Sequence, residues 1–156
     1  MPVRPIVDVM VILERNGHIL LAERKDTGYA DGMLNLPSGK VDHDRENVTQ
    51  AAAREVLEEV GVRVDAAALR HVHVMNYLNP EGEQRIGWFF AVTHWDGEPY
   101  NAEPHKCAGI SWHRPEELPD NTVPYNALGI GHALKGEPFS VHGWKPEEGH
   151  PIPFRE

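Results

Sequence analysis

The stretch "AAAREVLEEVG", Ala51 to Gly61, packs an arginine, three glutamates and a closing glycine into a spacing that an α-helix turns into a surface. Asn47 is a good N-cap ahead of it, and Gln50 stands three positions later in a capping-box relation. Gly61 suits the left-handed position just past a helix end. A helix is therefore predicted over residues 48–60. Taking Val48 as zero, Ala52, Val56 and Val60 fall at about 40°, 80° and 120°, which makes a buried stripe. Glu58, Glu55 and Glu59 fall at about 280°, 340° and 20° on the same wheel. Three carboxylates thus share one arc of about 100° beside the apolar stripe. Like charges four residues apart cost about 0.2–0.5 kcal/mol per pair in an isolated helix, and more against a core. A cation relieves that repulsion. Hard divalent ions such as Mg²⁺ take oxygen ligands and suit carboxylates spaced this way beside phosphates. Arg54, at about 240°, is placed to pair with a flanking carboxylate. Taken alone, the same face also fits a merely solvated helix.

Working outward, residues 5–14 and 18–24 are short, aliphatic and separated by "RNG", which predicts an antiparallel hairpin. The run "KDTGYADGMLNLPSGKVDHDREN" is rich in glycine and aspartate and reads as a functional loop region. Residues 69–78 and 85–95 read as strands joined by "NPEGEQ", and residues 107–115 as another strand. Val123 to Leu134 can form a second helix, whereas residues 136–156 carry four prolines and three glycines without periodicity. The order strands, helix, strands, helix fits an α+β fold with a mixed sheet and helices against it. One domain over residues 1–135 with a C-terminal tail over 136–156 is the expected organisation.

Bulk composition narrows the function. The chain has 156 residues, enough to bury about 68–70% of its unfolded surface. A formal charge of −9 disfavours a broad grip on a nucleic-acid polymer or an anionic membrane. The apolar run "IVDVMVIL" contains Asp8 and is far shorter than the ~20 residues a bilayer requires, so it reads as a strand. The single cysteine, Cys107, excludes an intrachain disulfide, and a cytoplasmic setting is expected.

From Gly39 through Glu46 to "REVLEEVGV" (54–62), the chain closely resembles the signature of the Nudix hydrolases: G, five residues, E, seven residues, R-E-U-x-E-E-x-G-U, with U aliphatic. From Glu46 onward the match is complete. Six residues, not five, separate Gly39 from Glu46, so the loop "KVDHDR" is one longer than the pattern, and Ser38 replaces a glycine common in the family. The resemblance implies an α/β/α sandwich with a mixed sheet, and Mg²⁺ or Mn²⁺ held by Glu55, Glu58 and Glu59 with the backbone carbonyl of Ser38. It implies hydrolysis of a nucleoside diphosphate linked to a group X. Lys40 and Arg24 are candidate phosphate contacts. Glu103 in "NAEPHKC" is the candidate for a further acidic residue, acting as metal ligand or general base alongside Glu58, Glu59, Arg54 and Glu46. MutT-type members cleave nucleoside triphosphates, and the "W…LP" run here leads to Asp120 and Asn121, of which Asn121 could read a base or cap the helix. ADP-ribose, nucleotide-sugar and dinucleoside polyphosphate hydrolases share the chemistry, and a non-catalytic nucleotide sensor is the alternative of a different class. Family members are often homodimers, so dimerisation is expected.

Other constellations carry less. Asp42, Asp44 and Glu46 alternate like an EF-hand loop, but Asn47 and Ala53 occupy the positions that need glycine and glutamate. His71 and His73 are predicted to share one strand face, where histidines are mostly structural. Cys107 and His105 lack an orienting partner, and Trp88, Phe89 and Trp112 read as core.

Overall fold

The computed structural model of the protein describes residues 1–42 and 44–144. Its elements run β1 (Ile6–Arg15), β2 (His18–Arg24), β3 (Leu34–Asn35), β4 (Ser38–Lys40), α1 (Val48–Val60), β5 (Arg70–Leu78), β6 (Gln84–Val92), β7 (Cys107–His113), α2 (Pro124–Leu134) and β8 (Phe139–His142). The hairpin between β1 and β2 turns on Asn16 and Gly17, both with positive φ (53° and 75°), as a two-residue turn matched to strand twist requires.

Among the described residues the eight strands form one mixed sheet. β1 is its axis. One edge of β1 pairs in parallel with β6 from Ile6 to Leu13. The other edge is shared: Asp8, Val9 and Met10 pair with β4, while Glu14 and Arg15 pair with β2. β2 carries β3 and β7, and β6 leads through antiparallel β5 to β8.

Alternation along β1 and β6 sends successive side chains to opposite faces. Val9, Val11, Leu13 and Phe90 face α1, where Ala51, Ala52, Val56 and Val60 close over them. Met10, Ile12, Phe89 and Ala91 face the other way, against Tyr125 and Ile130 of α2. The result is an α/β/α sandwich. Val56 and Val60 are fully buried, worth about 1.5–3 kcal/mol each.

Three features differ from the sequence reading. The loop region before α1 contains two short strands, β3 and β4, too short for periodicity to reveal. Within residues 136–156, read as tail, Phe139–His142 forms β8 alongside β5; residues 145–156 lie outside the described residues. His71 and His73 do not share a face, because the register shifts between them. His71 packs edge-on to Trp88 and Phe90, whereas His73 is buried on the α2 side, stacked on His132 with ring centroids 4.9 Å apart. A two-histidine site on one face is thereby excluded.

Candidate active site

α1 forms as its sequence directs. The Asn47 side chain accepts from the Gln50 amide, the Gln50 side chain accepts from the Asn47 amide, and Gly61 ends the helix at φ 71°. This fixes the register of the glutamates. Arg54 is the hub of the cluster. Its Nε and Nη2 donate to the two oxygens of Glu46 at 2.9 and 2.6 Å, and Nη1 donates to Glu55 Oε1 at 2.8 Å and Glu58 Oε2 at 3.2 Å. Nη2 also reaches the Lys40 carbonyl at 3.2 Å, tying α1 to β4. The hydrogen bond to Arg54 holds the Glu46 carboxyl below its ordinary range, and the Asp42 amide, 2.9 Å from Glu46 Oε1, adds to this.

Glu55 and Glu59 behave oppositely. Burial, the larger cause, raises the proton affinity of Glu55 despite Arg54. Burial also pushes Glu59 well above the usual carboxylate range, reinforced by the charge of Glu55 and, further off, of Glu103; the Ser38 amide, at 3.2 Å from Glu59 Oε2, pulls it back only in part. Two carboxyls that share a hydrogen bond and resist ionising together constitute an unmet demand for positive charge. Glu58 is the solvent-facing member, its side chain 52% exposed. Among the described residues no three acidic, histidine or cysteine side chains already converge on one point, since Glu58 is turned to Arg54. Gly39 is required here, because a Cβ would collide with the Glu55 carboxylate.

Glu103, on the loop before β7, lies near enough to the cluster for its charge to act on Glu59. The amides of Tyr100 and Ala102 donate to the carbonyls of Val60 and Glu59 at 3.1 Å, stitching that loop to the end of α1. The Glu103 carboxylate meets Lys106 Nζ at 3.2 Å.

Next to the cluster, on the α2 face, opens a cleft of about 460 Å³. Ser38, Gly39 and Lys40 form the end nearest the glutamates; Asp8 and Met10 lie on the floor, with Arg85, Tyr77 and Tyr125 further across the sheet.

A family model for the NUDIX domain matches residues 2–129. The chain belongs to the Nudix family of hydrolases. It is 30% identical over 97 residues to an 8-oxo-dGTP diphosphatase of Escherichia coli, covering 62% of this chain and 72% of that protein. To a CTP pyrophosphohydrolase of the same organism it is 29% identical over 111 residues, 70% and 76% of the two chains. The crystal structure of a MutT NUDIX hydrolase from Burkholderia pseudomallei superposes with a TM-score of 0.74 at 27% identity, over 82% of this chain and 97% of that one.

The Nudix box therefore folds as a loop, helix and loop in which Glu46, Arg54, Glu55, Glu58, Glu59 and Ser38 meet, with Glu103, outside the box, near enough for its charge to act on Glu59. Of the residues predicted to bind phosphate, Lys40 lines the cleft. Arg24 lines it too, but its Nε and Nη2 are engaged with Tyr29 O (2.7 Å) and Thr27 Oγ1 (3.0 Å), bracing the loop after β2. Asn121 is not on the cleft wall: its Nδ2 donates to Gly32 O at 3.1 Å. Asn126, five residues on, does line the cleft, its Oδ1 accepting from the buried Leu36 amide at 2.9 Å. Asp8 and Arg85 are also cleft residues that sequence reasoning missed. An aspartate inside an apolar strand was the available signal. Cys107 is buried, its thiol donating to Gly109 O and raised in pKa by burial, so it is no nucleophile.

Proposed function

We propose that this Nudix hydrolase is a Mg²⁺-dependent pyrophosphohydrolase that cleaves nucleoside triphosphates to the monophosphate and pyrophosphate. The observation carrying the reading is the carboxylate fan of Glu46, Glu55 and Glu58 gathered on Arg54, with Glu59 accepting from the Ser38 amide, beside the Ser38–Lys40 end of a nucleotide-sized cleft. The hard oxygen donors of Glu55, Glu58, Glu59 and Glu103, with the Ser38 carbonyl, fit Mg²⁺ or Mn²⁺. Such an ion, when bound, neutralises phosphate oxygens and acidifies water.

The chain's own residues supply the rest. Arg54 holds Glu46, Glu55 and Glu58 in a fixed fan, so the carboxylates are organised before substrate arrives. Lys40 stands at the cleft end nearest the glutamates, where it offers a donor to a phosphate oxygen. One carboxylate among Glu58, Glu59 and Glu103 takes the proton released by the attacking water. The names of the E. coli relatives, an 8-oxo-dGTP diphosphatase and a CTP pyrophosphohydrolase, support a triphosphate substrate.

The test is product analysis with Mg²⁺ across nucleoside triphosphates, ADP-ribose, nucleotide sugars and dinucleoside polyphosphates. Pyrophosphate and monophosphate from the triphosphates are expected, with Glu59→Gln lowering kcat roughly 10²–10⁴-fold. Turnover of ADP-ribose or a nucleotide sugar alone overturns the triphosphate assignment, and binding without turnover on any substrate marks a sensor.

A further inference from the structure

Asp8 is 7% exposed, in the middle of a strand otherwise given to the core. A carboxylate in such a place requires a partner. Arg85 Nε donates to Asp8 Oδ2 at 2.7 Å and Nη2 donates to Oδ1 at 3.0 Å, a two-pronged pair that keeps Arg85 firmly charged. The two residues sit on neighbouring parallel strands, β1 and β6, and both line the cleft.

The pairing spends only one edge of the guanidinium. Nη1 carries two N–H groups and Nη2 a second one. Glu83 Oε1 stands 3.8 Å from Nη1, too far for a hydrogen bond. A rigid two-donor fork is thus left over, on a side chain 21% exposed and within the cleft wall. Because Asp8 cancels its charge, this fork presents donors without net positive charge, which suits a neutral partner better than a phosphate. Its position agrees. β4, with Lys40 and the contact to Glu59, borders one side of β1, and β6, with Arg85, borders the other, about 10 Å away by strand spacing. At the Arg85 end the Tyr77 and Tyr125 rings meet edge-to-face at 4.7 Å. Gly87 makes this possible, since a Cβ there would collide with the Tyr125 hydroxyl.

We infer that Arg85, braced by Asp8, reads the base of the bound nucleotide and selects bases that present two adjacent hydrogen-bond acceptors. Guanine does so with O6 and N7, and cytosine with O2 and N3. Adenine and thymine present no such adjacent pair, and 8-oxoguanine carries a hydrogen on N7. The inference rests on the nucleotide reading of the cleft given above.

The test compares kcat/KM for dGTP, dCTP, dATP, dTTP and 8-oxo-dGTP in the native enzyme, Arg85→Gln and Arg85→Lys. dGTP and dCTP are expected to lead. Arg85→Gln should erase roughly 5- to 150-fold of that preference, the range for one bidentate base contact, mainly through KM, with dATP nearly unchanged. Arg85→Lys keeps the charge without the fork and should lose most of the preference as well. Equal loss on all five substrates would identify Arg85 as a phosphate contact and overturn the inference, as would a native enzyme indifferent to the base. If Arg85→Gln fails to fold because Asp8 is stranded, the double variant Asp8→Asn/Arg85→Gln removes both charges and serves in its place. Calorimetric binding of non-hydrolysable imido analogues separates the two levels. A guanine and cytosine preference in binding without hydrolysis refutes the catalytic reading alone, and absence of binding refutes both.

Discussion

Replacing Arg54 by glutamine tests whether one cation organises the whole carboxylate fan. In the native protein Arg54 is 33% exposed, while its partners Glu46 and Glu55 are only 11% and 12% exposed. Hydrogen bonds to charged groups contribute about 1.5–3 kcal/mol each when partly buried. The contact to Glu58, 52% exposed, adds a few tenths at most. With solvent screening at Arg54 itself, the substitution should cost about 2–4 kcal/mol at pH 7. For a chain of this length that lowers Tm by roughly 5–15 °C. The measurement is urea and thermal unfolding of native protein and Arg54→Gln from pH 7 downward, in Mg²⁺-free buffer. Glu46 has its pKa held below the ordinary 4.5 by Arg54, so its share of stability is present above that value and is lost as pH falls through the folded-state pKa. The stability gap between the two proteins should therefore narrow below about pH 4.5. A gap under about 1 kcal/mol at pH 7, or one that stays constant down to pH 3, would refute the view that Arg54 holds these carboxylates together.

Further outcomes follow from the core and the cleft. Gly129→Ala drives a Cβ into the Phe89 ring and should destabilise by about 1–3 kcal/mol in chemical denaturation, with Gly131→Ala, where nothing lies within 4 Å, as the tolerated control. Asn126→Ala strands the buried Leu36 amide and should cost about 1–3 kcal/mol, whereas Asn126→Asp keeps an acceptor and should cost less; unfolding curves of the pair decide this. His73 is fully buried, with its pKa lowered by burial, so folding disfavours its charged form. Native stability should therefore fall as pH drops through the ordinary histidine value of 6.5, and His73→Gln should flatten that slope between pH 7.5 and 5.5.

Local signals made much of this molecule legible. The α1 boundaries, both caps and the glutamate register were written into Asn47, Gln50, Val56 and Gly61, because helix geometry links residues close in sequence. The convergence of Glu46 and Arg54 was legible only through the family signature, since their contact spans a loop with no periodicity of its own. β3, β4 and β8 are two to four residues long, and pairing with distant partners, not propensity, makes them strands. Asp8 and Arg85 are 77 residues apart, joined by a parallel pairing that no local pattern announces. Asn121 precedes α2 and Asn126 lies in its first turn, and tertiary placement decided which one borders the cleft.

The divided edge of β1 has a bearing on how new activities could arise from this scaffold. One long strand grips the glycine-bearing segment at its beginning and the first hairpin at its end, so the chain between Lys25 and Met33 is anchored on both sides and held in the middle by bonds of its own, Asp31 accepting from the Thr27 and Gly28 amides and Arg24 donating to Tyr29 O. Each doubling of such a span costs only about 0.6 kcal/mol in closure entropy. Insertions there would redraw the cleft rim at Arg24 and Tyr29 without displacing the glutamates of α1, which makes this segment the natural place to graft altered selectivity.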